Sequence, residues 1–549
     1  MKASDLLVQC LEREGVDTVF ALPGEENADV TFSLEKSSIR VVLTRHEQGA
    51  GFMANAWGRL KGTPAICLAT LGPGATNLVT PVAEGNMDHA PIIALTGQGA
   101  TSRLHKESHQ IINVEDMFLP VTKWAASVRT PQSIPELVRK AVRVARAEKP
   151  GAVLLELPED IAGMDVDSAP LTPHRFFRPT ADASIIADAA ERIAAARAPL
   201  IIAGNGAIRT RASRALRVLC DQTGIGVLST FMGKGAVDKD APYCLYTIGL
   251  SQKDIVHRAV EEADLVITVG YDMVEYPPQL WNVRGEQNLV HLDFYPAEID
   301  AHYQPACEVV GDIAGSLELL TDALAKRDDL GFDFSVQRAV RDEMAGELAR
   351  HADDTGEAPV RPQKAVADLR AALGPDDILL SGVGAHKMWI ARHYHCHSPN
   401  TCLIPNGFCS MGGAFPGAIG AKLAMPDRKV VAVCGDGDFL MNVQEMETAR
   451  RLDLDLVVLV WVDGGYGLIA WKQENEEGRH TPLSFGNPDW NGLAASFGWH
   501  GHAVTQAEEL LPTLRKALDE AGPSLVSLPI DYRENRLLTE RLGHIDMRI

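Results

Sequence analysis

The chain has 549 residues, which is too many for one hydrophobic core. Of these residues 46% are hydrophobic and 23% are charged, which is an ordinary composition for a globular protein. Its 52 lysines and arginines face 73 acidic residues, so the net charge is −21, and no basic run interrupts that balance. A polyanion would be repelled, which excludes nucleic acid as an expected partner. The longest run of large apolar residues, Leu456 to Val462, is too short to cross a bilayer, so we expect no membrane association.

The amino terminus and the cysteines indicate a cytoplasmic protein. Residues 1–24 predict an amphipathic helix followed by a strand rather than a signal peptide. The nine cysteines are scattered, contain no CxxC motif, and are not needed as disulfides in a chain of this size.

One cluster of metal-binding residue types lies between residues 393 and 402. Its spacing matches no closed zinc pattern, and alternate residues of a strand would face opposite sides. An ordinary loop or strand end is the favoured interpretation. The cluster comprises His393, His395, Cys396, His397 and Cys402.

Short β-branched runs alternate with helical stretches along the whole chain, a pattern typical of parallel α/β sheets. Two segments rich in proline and polar residues, 163–183 and 350–363, interrupt the alternation and are predicted linkers. We therefore predict three α/β domains, at residues 1–165, 184–330 and 362–549. The predicted strands lie at 39–44, 65–70, 91–97, 152–158, 199–206, 265–270, 288–293, 429–437 and 456–463.

Two aspartates follow successive strands of the third domain. One strand ends in Gly435-Asp436-Gly437, a helix is predicted over Met441–Arg451, and the next strand ends in Asp463-Gly464-Gly465. Carboxyl ends of parallel strands meet at one edge, glycines let backbone approach a ligand, and carboxylate oxygens suit Mg²⁺. Either aspartate alone could simply cap a helix or shape a turn. The pair at this spacing favours a metal–phosphate site.

The first domain offers two weaker candidates. Glu47 follows the strand at 39–44 and could be a helix N-cap or a carboxylate that handles protons in a strand-end cleft. Gly72-Pro73-Gly74-Ala75 joins a strand to a helix whose amino terminus could receive an anion. The chain has no GxGxxG or GxxxxGK[ST] motif, and GNGAI at 204–208 is too incomplete to indicate a nucleotide.

Taken in order, these segments resemble the thiamine-diphosphate-dependent decarboxylase/carboligase superfamily over essentially the whole chain. RHEQGAGFMA (45–54) is similar to its catalytic-glutamate motif, and GDG with DGGYG (435–467) to its diphosphate–magnesium motif. GPGATNLVT (72–80) and VGYDMVEYPPQLWN (269–282) are similar to segments of the catabolic, flavin-independent acetolactate synthase family.

This resemblance implies a pyrimidine-binding domain, a central domain and a diphosphate-binding domain. It implies thiamine diphosphate and Mg²⁺ as cofactors, with FAD possible but not favoured. The cofactor would lie between the first domain of one subunit and the third domain of its partner, which makes the protein a homo-oligomer. The implied reaction decarboxylates pyruvate and joins the remaining two-carbon unit to a second pyruvate, giving 2-acetolactate.

The resemblance also assigns roles to individual positions. Glu47 would hydrogen-bond the aminopyrimidine ring, and Gln110 is the second catalytic candidate. Mg²⁺ would be held by the Asp436 and Asp463 carboxylates and the Gly465 carbonyl. The other implied cofactor-binding residues are Gly72, Gly74, Asn77, His386, Cys409, Met411, Gly435, Gly437, Tyr466 and Gly467. The implied substrate-channel residues are Gly24, Glu25, Phe118, Lys123 and Gln473.

Some positions depart from the family pattern. Glu25-Glu26-Asn27 follows Pro23-Gly24, and an unpaired carboxylate beside anionic pyruvate would weaken binding. Either Glu25 points away or is paired, or the substrate is not pyruvate. Three other functions stay open: an FAD-binding biosynthetic acetohydroxyacid synthase, a 2-oxoacid decarboxylase or carboligase with a different donor, and a cofactor-binding scaffold with a degenerate site.

Overall fold

The computed structural model describes residues 1–174, 176–209 and 211–543, and it contains three six-stranded sheets. All paired strands within these sheets run parallel, as the alternating sequence pattern predicts. The predicted α/β class with three parallel sheets is therefore confirmed.

The first sheet has the strand order β2-β1-β3-β4-β6-β5 and is covered by helices on both faces. Its elements are β1 (Thr18–Leu22), β2 (Arg40–Leu43), β3 (Ala65–Ala69), β4 (Ile92–Gln98), β5 (Trp124–Ser127) and β6 (Ala152–Pro158), with α1 (Ala3–Arg13), α2 (Ala28–Glu35), α3 (Glu47–Lys61), α4 (Pro73–Asn77), α5 (Val79–Met87), α6 (Val114–Phe118), α7 (Ile134–Arg146) and α8 (Glu159–Gly163).

The central sheet has the order β12-β11-β10-β7-β8-β9. Its elements are β7 (Pro199–Ala203), β8 (Gly226–Ser229), β9 (Cys244–Thr247), β10 (Leu265–Val269), β11 (Leu289–Asp293) and β12 (Cys307–Val310), with α9 (Ala183–Ala195), α10 (Ala212–Thr223), α11 (His257–Glu262), α12 (Ile313–Leu324) and α13 (Ser335–Ala349).

The third sheet has the order β14-β13-β15-β16-β18-β17, which is the strand order of the first sheet repeated. Its elements are β13 (Ile378–Ser381), β14 (Cys402–Leu403), β15 (Val430–Gly435), β16 (Val457–Val462), β17 (His500–Ala503) and β18 (Ser524–Pro529), with α14 (Pro362–Ala372), α15 (Ala385–His393), α16 (Ala414–Ala424), α17 (Asp436–Leu440), α18 (Glu445–Arg451), α19 (Gly467–Glu477), α20 (Trp490–Ser496), α21 (Leu510–Asp519) and α22 (Arg533–Leu542).

Burial explains why these segments take these forms. Every residue of β4, β6 and β10 is buried, as expected for strands covered by helices on both faces. Helix α7 instead buries one stripe, formed by Ile134, Val138, Ala141, Val142 and Ala145, at the spacing of a helix face.

The shared strand order decides where ligands can bind. In an open parallel sheet, a crevice forms at the carboxyl ends of two neighbouring strands whose connections run in opposite directions. That point lies between β1 and β3 in the first sheet and between β13 and β15 in the third. The Gly72–Ala75 junction and the Gly435–Gly437 turn therefore occupy equivalent places in their sheets.

Two details differ from the sequence-based expectations, and a third, the position of the histidine–cysteine cluster, agrees with them in part. The helix predicted over 441–451 begins only at Glu445, since Asn442 turns inward and its Nδ2 donates to the Gly412 carbonyl at 2.7 Å. Helix α13 lies beyond the predicted end of the central domain at residue 330, yet it packs there: Gln337 Nε2 donates to the Pro199 carbonyl at 2.8 Å. The histidine–cysteine cluster spans the end of α15, a loop and β14.

The cysteines were predicted not to be needed as disulfides. All nine are free thiols. Residues 544–549 of the predicted third domain and Arg175 of the predicted linker lie outside the described residues. Within the described ranges, no helix combines the length and apolar character needed to cross a bilayer.

Arg392 joins the central and third domains through a buried ion-pair network. It lies on α15 with its side chain 1% exposed, and its Nη2 lies 2.7 Å from Glu347 on α13, while Nη1 pairs with Asp254. The Arg541 guanidinium also reaches Glu347, at 2.8 Å. Because two carboxylates face this guanidinium away from water, removing it would leave buried charge uncompensated.

Arg392→Ala is expected to destabilise the protein by about 3–5 kcal/mol, which is the usual cost of breaking a buried ion pair from one side. Arg258→Ala is the matched control, because Arg258 pairs with Glu343 at 2.7 Å on the exposed surface. That control should cost less than about 1 kcal/mol. Chemical denaturation of both variants measures the difference, and equal midpoints would contradict the role assigned to Arg392.

Candidate active site at the strand ends of the third domain

A cavity of about 240 Å³ lies at the carboxyl edge of the third sheet. All of its lining residues come from the third domain, and they include most of the cofactor-binding residues implied by the sequence. The lining comprises Val383, Gly384, Ala385, His386, Cys409, Met411, Gly435, Asp436, Gly437, Asp438, Asp463, Gly465, Tyr466, Gly467, Leu468, Ile469 and Tyr532.

Asp436 is fixed at this edge by donors from both strand-end loops. Its Oδ2 accepts from the Gly464 amide at 2.7 Å and the Asp463 amide at 3.2 Å, and its Oδ1 accepts from the Gly437 amide at 2.8 Å. The Asn487 side chain adds a donor to Oδ2 at 2.7 Å. These bonds tie the loop after β15 to the loop after β16.

Asp463 lies beside Asp436 and experiences its negative charge. Desolvation and, second, the charge of Asp436 raise the pKa of Asp463 to about 7. A hard divalent cation bound at Asp463 would offset the repulsion that disfavours its ionised form, and carboxylate oxygens are suitable ligands for such a cation. The residues present therefore fit the predicted metal site.

The cavity lining also carries two buried polar atoms without hydrogen-bond partners among the described residues. His386 Nε2 and Asp438 Oδ2 lie 3.9 Å apart, and neither has a hydrogen-bond partner there. Burial lowers the pKa of His386 to about 3 and raises that of Asp438 to about 7. A neutral imidazole beside an acid that readily holds a proton can serve a polar ligand.

Two glycines that line the cavity have no room for a side chain. A Cβ atom placed on Gly437 would lie 3.0 Å from the rings of Tyr466 and Phe485, and one on Gly467 would lie 2.5 Å from Asp463 Oδ2. Larger residues at these positions would displace the groups that line the cavity. The absence of side chains at these two positions therefore lets the neighbouring groups pack closely against the backbone around the cavity.

A second group of predicted residues gathers at the carboxyl edge of the first sheet. Glu47 is the first residue of α3 and is 7% exposed, and its Oε2 accepts from Asn77 Nδ2 at 3.0 Å. A Cβ on Gly74 would lie 3.3 Å from Glu47 Oε1, and one on Gly72 would lie 2.5 Å from the Gln110 carbonyl. The N-cap of α3 is His46, whose Nδ1 accepts from the Gln48 amide, so the Glu47 carboxylate is not occupied in capping.

Glu445 of the third domain holds the Glu47 segment in place. Its Oε1 accepts from the backbone amides of Arg45 and His46, both at 3.0 Å, and burial raises its pKa. These bonds fasten the start of α3 to α18. Sequence reasoning missed Glu445, because a glutamate inside a helix carries no local signal of contact with a segment 400 residues away.

The structure places the predicted substrate-channel residues in different surroundings. Gly24 packs against Thr70 near the Gly72 turn, and Glu25 is exposed at the end of β1. Phe118 is 0% exposed in the core, and the Lys123 ammonium donates to the carbonyls of Val144, Ala147 and Lys149, so the structure brings neither to the Glu47 group. Gln473 lies on α19 and accepts from the Thr481 amide at 2.8 Å.

Three other residues at or beside the cavity were not predicted from the sequence. Asp438 sits two residues after Asp436 and could have been suspected from the motif itself. Asn487 and Tyr532 reach the site from distant loops, and no local pattern marks them.

The histidine–cysteine cluster brings Cys396 and Cys402 together as hydrogen-bond partners but forms no group of potential metal ligands of its own among the described residues. His397 alone joins two carboxylates: its Nδ1 lies 3.2 Å from Asp238 and 3.7 Å from Asp240, and these three are the group of potential metal ligands found among the described residues. Lys239 also pairs with Asp240 at 2.7 Å, so ion pairing accounts for the arrangement.

Comparison with known proteins agrees with this geometry. Family profiles for thiamine pyrophosphate enzymes match three segments: the N-terminal TPP-binding domain at residues 1–117, the central domain at 186–320 and the C-terminal TPP-binding domain at 382–528.

Full-length relatives are similar over nearly their whole length. A catabolic acetolactate synthase of Raoultella terrigena is 37% identical, covering 98% of this chain and 97% of the relative. An acetolactate synthase of Bacillus subtilis is 33% identical over 97% and 94%. The large subunit of acetolactate synthase isozyme 2 of Escherichia coli is 31% identical over 97% and 96%. The chain therefore belongs to the thiamine pyrophosphate enzyme family, in the group that contains the acetolactate synthases.

Proposed function

We propose that this protein is a thiamine-diphosphate- and Mg²⁺-dependent acetolactate synthase. Two pyruvate anions and one proton would give 2-acetolactate and carbon dioxide. The observation that carries the proposal is the pair of Asp436 and Asp463 lining the third-domain cavity. The first domain also has a buried glutamate, Glu47, whose carboxylate does not serve as a helix cap. The similarity to acetolactate synthases over the whole chain supports the choice of reaction.

The third domain would hold the diphosphate end of the cofactor. Asp436, Asp463 and the Gly465 carbonyl would hold Mg²⁺, whose positive charge would offset the negative charge of the diphosphate. The glycine-lined floor would receive the phosphate groups, with His386 as a neutral neighbour. Met411 and Cys409 would contact the ring portion, since both line the same cavity.

The first domain would supply proton handling. Bound thiamine diphosphate provides the electron sink that lets a 2-oxoacid lose carbon dioxide. Glu47 would hold a proton next to the aminopyrimidine ring, and Asn77 would fix the orientation of its carboxyl through the 3.0 Å bond. Gln110, on the loop packed against Gly72, would contact substrate.

The complete site would need two subunits. Glu47, Gly72, Gly74 and Asn77 do not line the third-domain cavity of the same chain. We therefore propose a homo-oligomer in which the first domain of one subunit covers the third-domain cavity of its partner.

The central domain argues against the flavin-dependent alternative. At its switch point, the turns after β7 and β10 contact directly: a Cβ on Gly206 would lie 2.6 Å from the Gly270 Cα. Asp272, just beyond, pairs with Lys149 and with His89 Nε2 of the first domain. These contacts fill the crevice in which an open α/β sheet would bind a dinucleotide.

One of the two glutamates that depart from the family pattern, Glu26, has a hydrogen-bond partner. Glu26 Oε2 accepts a hydrogen bond from the Thr70 hydroxyl at 2.9 Å, so this carboxylate has a partner within the first domain. Glu25 is exposed and leaves the choice of 2-oxoacid as the open part of the proposal. Incubating the protein with pyruvate, thiamine diphosphate and Mg²⁺ tests it: carbon dioxide without acetolactate would favour a simple decarboxylase, and neither product would indicate another donor acid.

A subunit-mixing experiment tests the shared site. Glu47→Gln and Asp436→Asn should each reduce acetolactate formation by at least about 100-fold, because the first removes the proton-handling carboxylate and the second a charged metal ligand. Co-expressing the two variants should restore activity, since a mixed dimer contains one site with neither change. Mixed subunits as inactive as either variant alone would contradict the shared site, and mixing each variant with itself is the control.

Metal binding at the aspartate pair is tested by titration. Asp463→Asn should weaken Mg²⁺-dependent thiamine diphosphate binding by about tenfold or more, since one charged oxygen ligand is lost. Calorimetry with and without Mg²⁺ measures the effect, and Asp453→Asn, an exposed aspartate paired with Arg450, is the control. Unchanged affinity of the Asp463 variant would argue against this metal site.

The filled central crevice predicts a flavin-free enzyme. The purified active protein should release no flavin fluorescence on denaturation, and added FAD should not change its acetolactate rate. A stoichiometric flavin would show that the Asp272 contacts open to admit a dinucleotide.

A further inference from the structure

Resting on the proposed function, we propose that Glu84 is a positioning residue for the cofactor. Glu84 belongs to α5 of the first domain. Its carboxyl holds the segment 405–412, here called the cofactor segment, in the conformation that presents Cys409 and Met411 to the third-domain cavity.

Two acidic residues of α5 bind the backbone of the cofactor segment. Glu84 Oε2 accepts from the Ser410 amide at 2.7 Å. Asp88, four residues later on the same helix face, accepts at Oδ1 from the Gly407 amide at 3.1 Å and the Asn406 amide at 3.4 Å. One helix of the first domain therefore supplies the acceptors for three amides of a third-domain loop.

The cofactor segment needs such support because its backbone is strained. Cys409 has a φ of 58°, in the left-handed region that few residues other than glycine adopt. The Lys387 ammonium donates to Cys409 Sγ at 3.1 Å from the opposite side. The Ser410 bond to Glu84 follows directly after this residue, so it fixes the turn at the point where the chain reverses toward Met411.

Placing an acid here is costly for the fold. Glu84 is 3% exposed, and burial, with the charge of Asp88 second, raises its pKa well above the usual range. Asp88 caps the carboxyl end of α5, where the helix dipole disfavours negative charge. Arg59 offsets part of this, with Nη1 3.4 Å from Asp88 Oδ2. The acids compensate for that cost by bonding to the cofactor segment.

Other anchors of the segment show what Glu84 adds. Asn406 Nδ2 donates to the Glu275 carbonyl of the central domain at 2.9 Å, and the Gly412 amide donates to Asp438 at 2.6 Å. These bonds hold the two ends of the segment. Glu84 holds its middle, between the two residues that face the cavity.

The test separates the hydrogen-bond acceptor from the volume of the side chain. Glu84→Gln keeps an acceptor oxygen for the Ser410 amide, and Glu84→Met fills the space without one. We expect Glu84→Met to weaken thiamine diphosphate affinity, measured with Mg²⁺ by calorimetry, by about tenfold or more and to lower kcat, because the unpaired amide lets the segment relax. Glu84→Gln should stay within about threefold of the wild type.

Asp377→Ala is the matched control. Asp377 also accepts two backbone amides, Gly374 at 2.7 Å and Lys429 at 3.0 Å, but at the amino-terminal edge of the third sheet, opposite the cavity. This variant should lower the melting temperature and leave cofactor affinity unchanged. Should Glu84→Met not fold, Glu84→Ala is measured in its place.

The outcomes distinguish this inference from the proposed function. Wild-type affinity in Glu84→Met, or an equal loss in Glu84→Gln and Glu84→Met, would overturn the positioning role while the wild-type protein still binds cofactor and forms acetolactate. A wild-type protein that binds cofactor but forms no acetolactate would refute the reaction and leave the comparison of affinities valid. A wild-type protein that binds no thiamine diphosphate would overturn both.

Discussion

Parallel strands deliver their carboxyl ends to one edge of a sheet, and this constraint organises the whole molecule. The first and third sheets have the same strand order, so each opens a crevice at the corresponding place. In the third sheet the crevice receives Asp436 and Asp463, and in the first it receives Glu47 and the Gly72 turn. Two halves of one site can therefore be built by one repeated topology, with different chemistry at the loops.

Buried charge is the second recurring element, and in each case it joins segments far apart in the chain. Glu445 binds the amides before Glu47, and Arg392 binds acids of the central domain. Glu84 reaches from the first domain to the Ser410 amide. Each such group costs desolvation energy and is tolerated only when fully partnered. The partners lie at domain junctions, so these groups fix how the domains meet around the cavity.

The central domain has the same layer architecture but a different role. The crevice between β7 and β10 is closed by glycine backbones in contact, and Asp272 binds the first domain there through an ion pair with Lys149 and a hydrogen bond with His89. A crevice of the kind that binds nucleotides elsewhere is here used for packing. The Asn406 bond to the Glu275 carbonyl then connects this packed domain to the cofactor segment.

The sequence by itself determined the elements that depend on local patterns. Runs of β-branched residues predicted the strands, and glycine with aspartate at strand ends predicted Asp436 and Asp463 at one edge, because parallel strands share their direction. It could not place Phe118 in the core, nor limit the helix after Asp436 to its start at Glu445, since those outcomes depend on neighbours distant in sequence. Only the tertiary structure brought Asn487 to Asp436, Glu445 to the Glu47 segment and Glu84 to Ser410. Hydrogen bonds between residues hundreds of positions apart leave no periodicity in the chain, so the fold alone decided them.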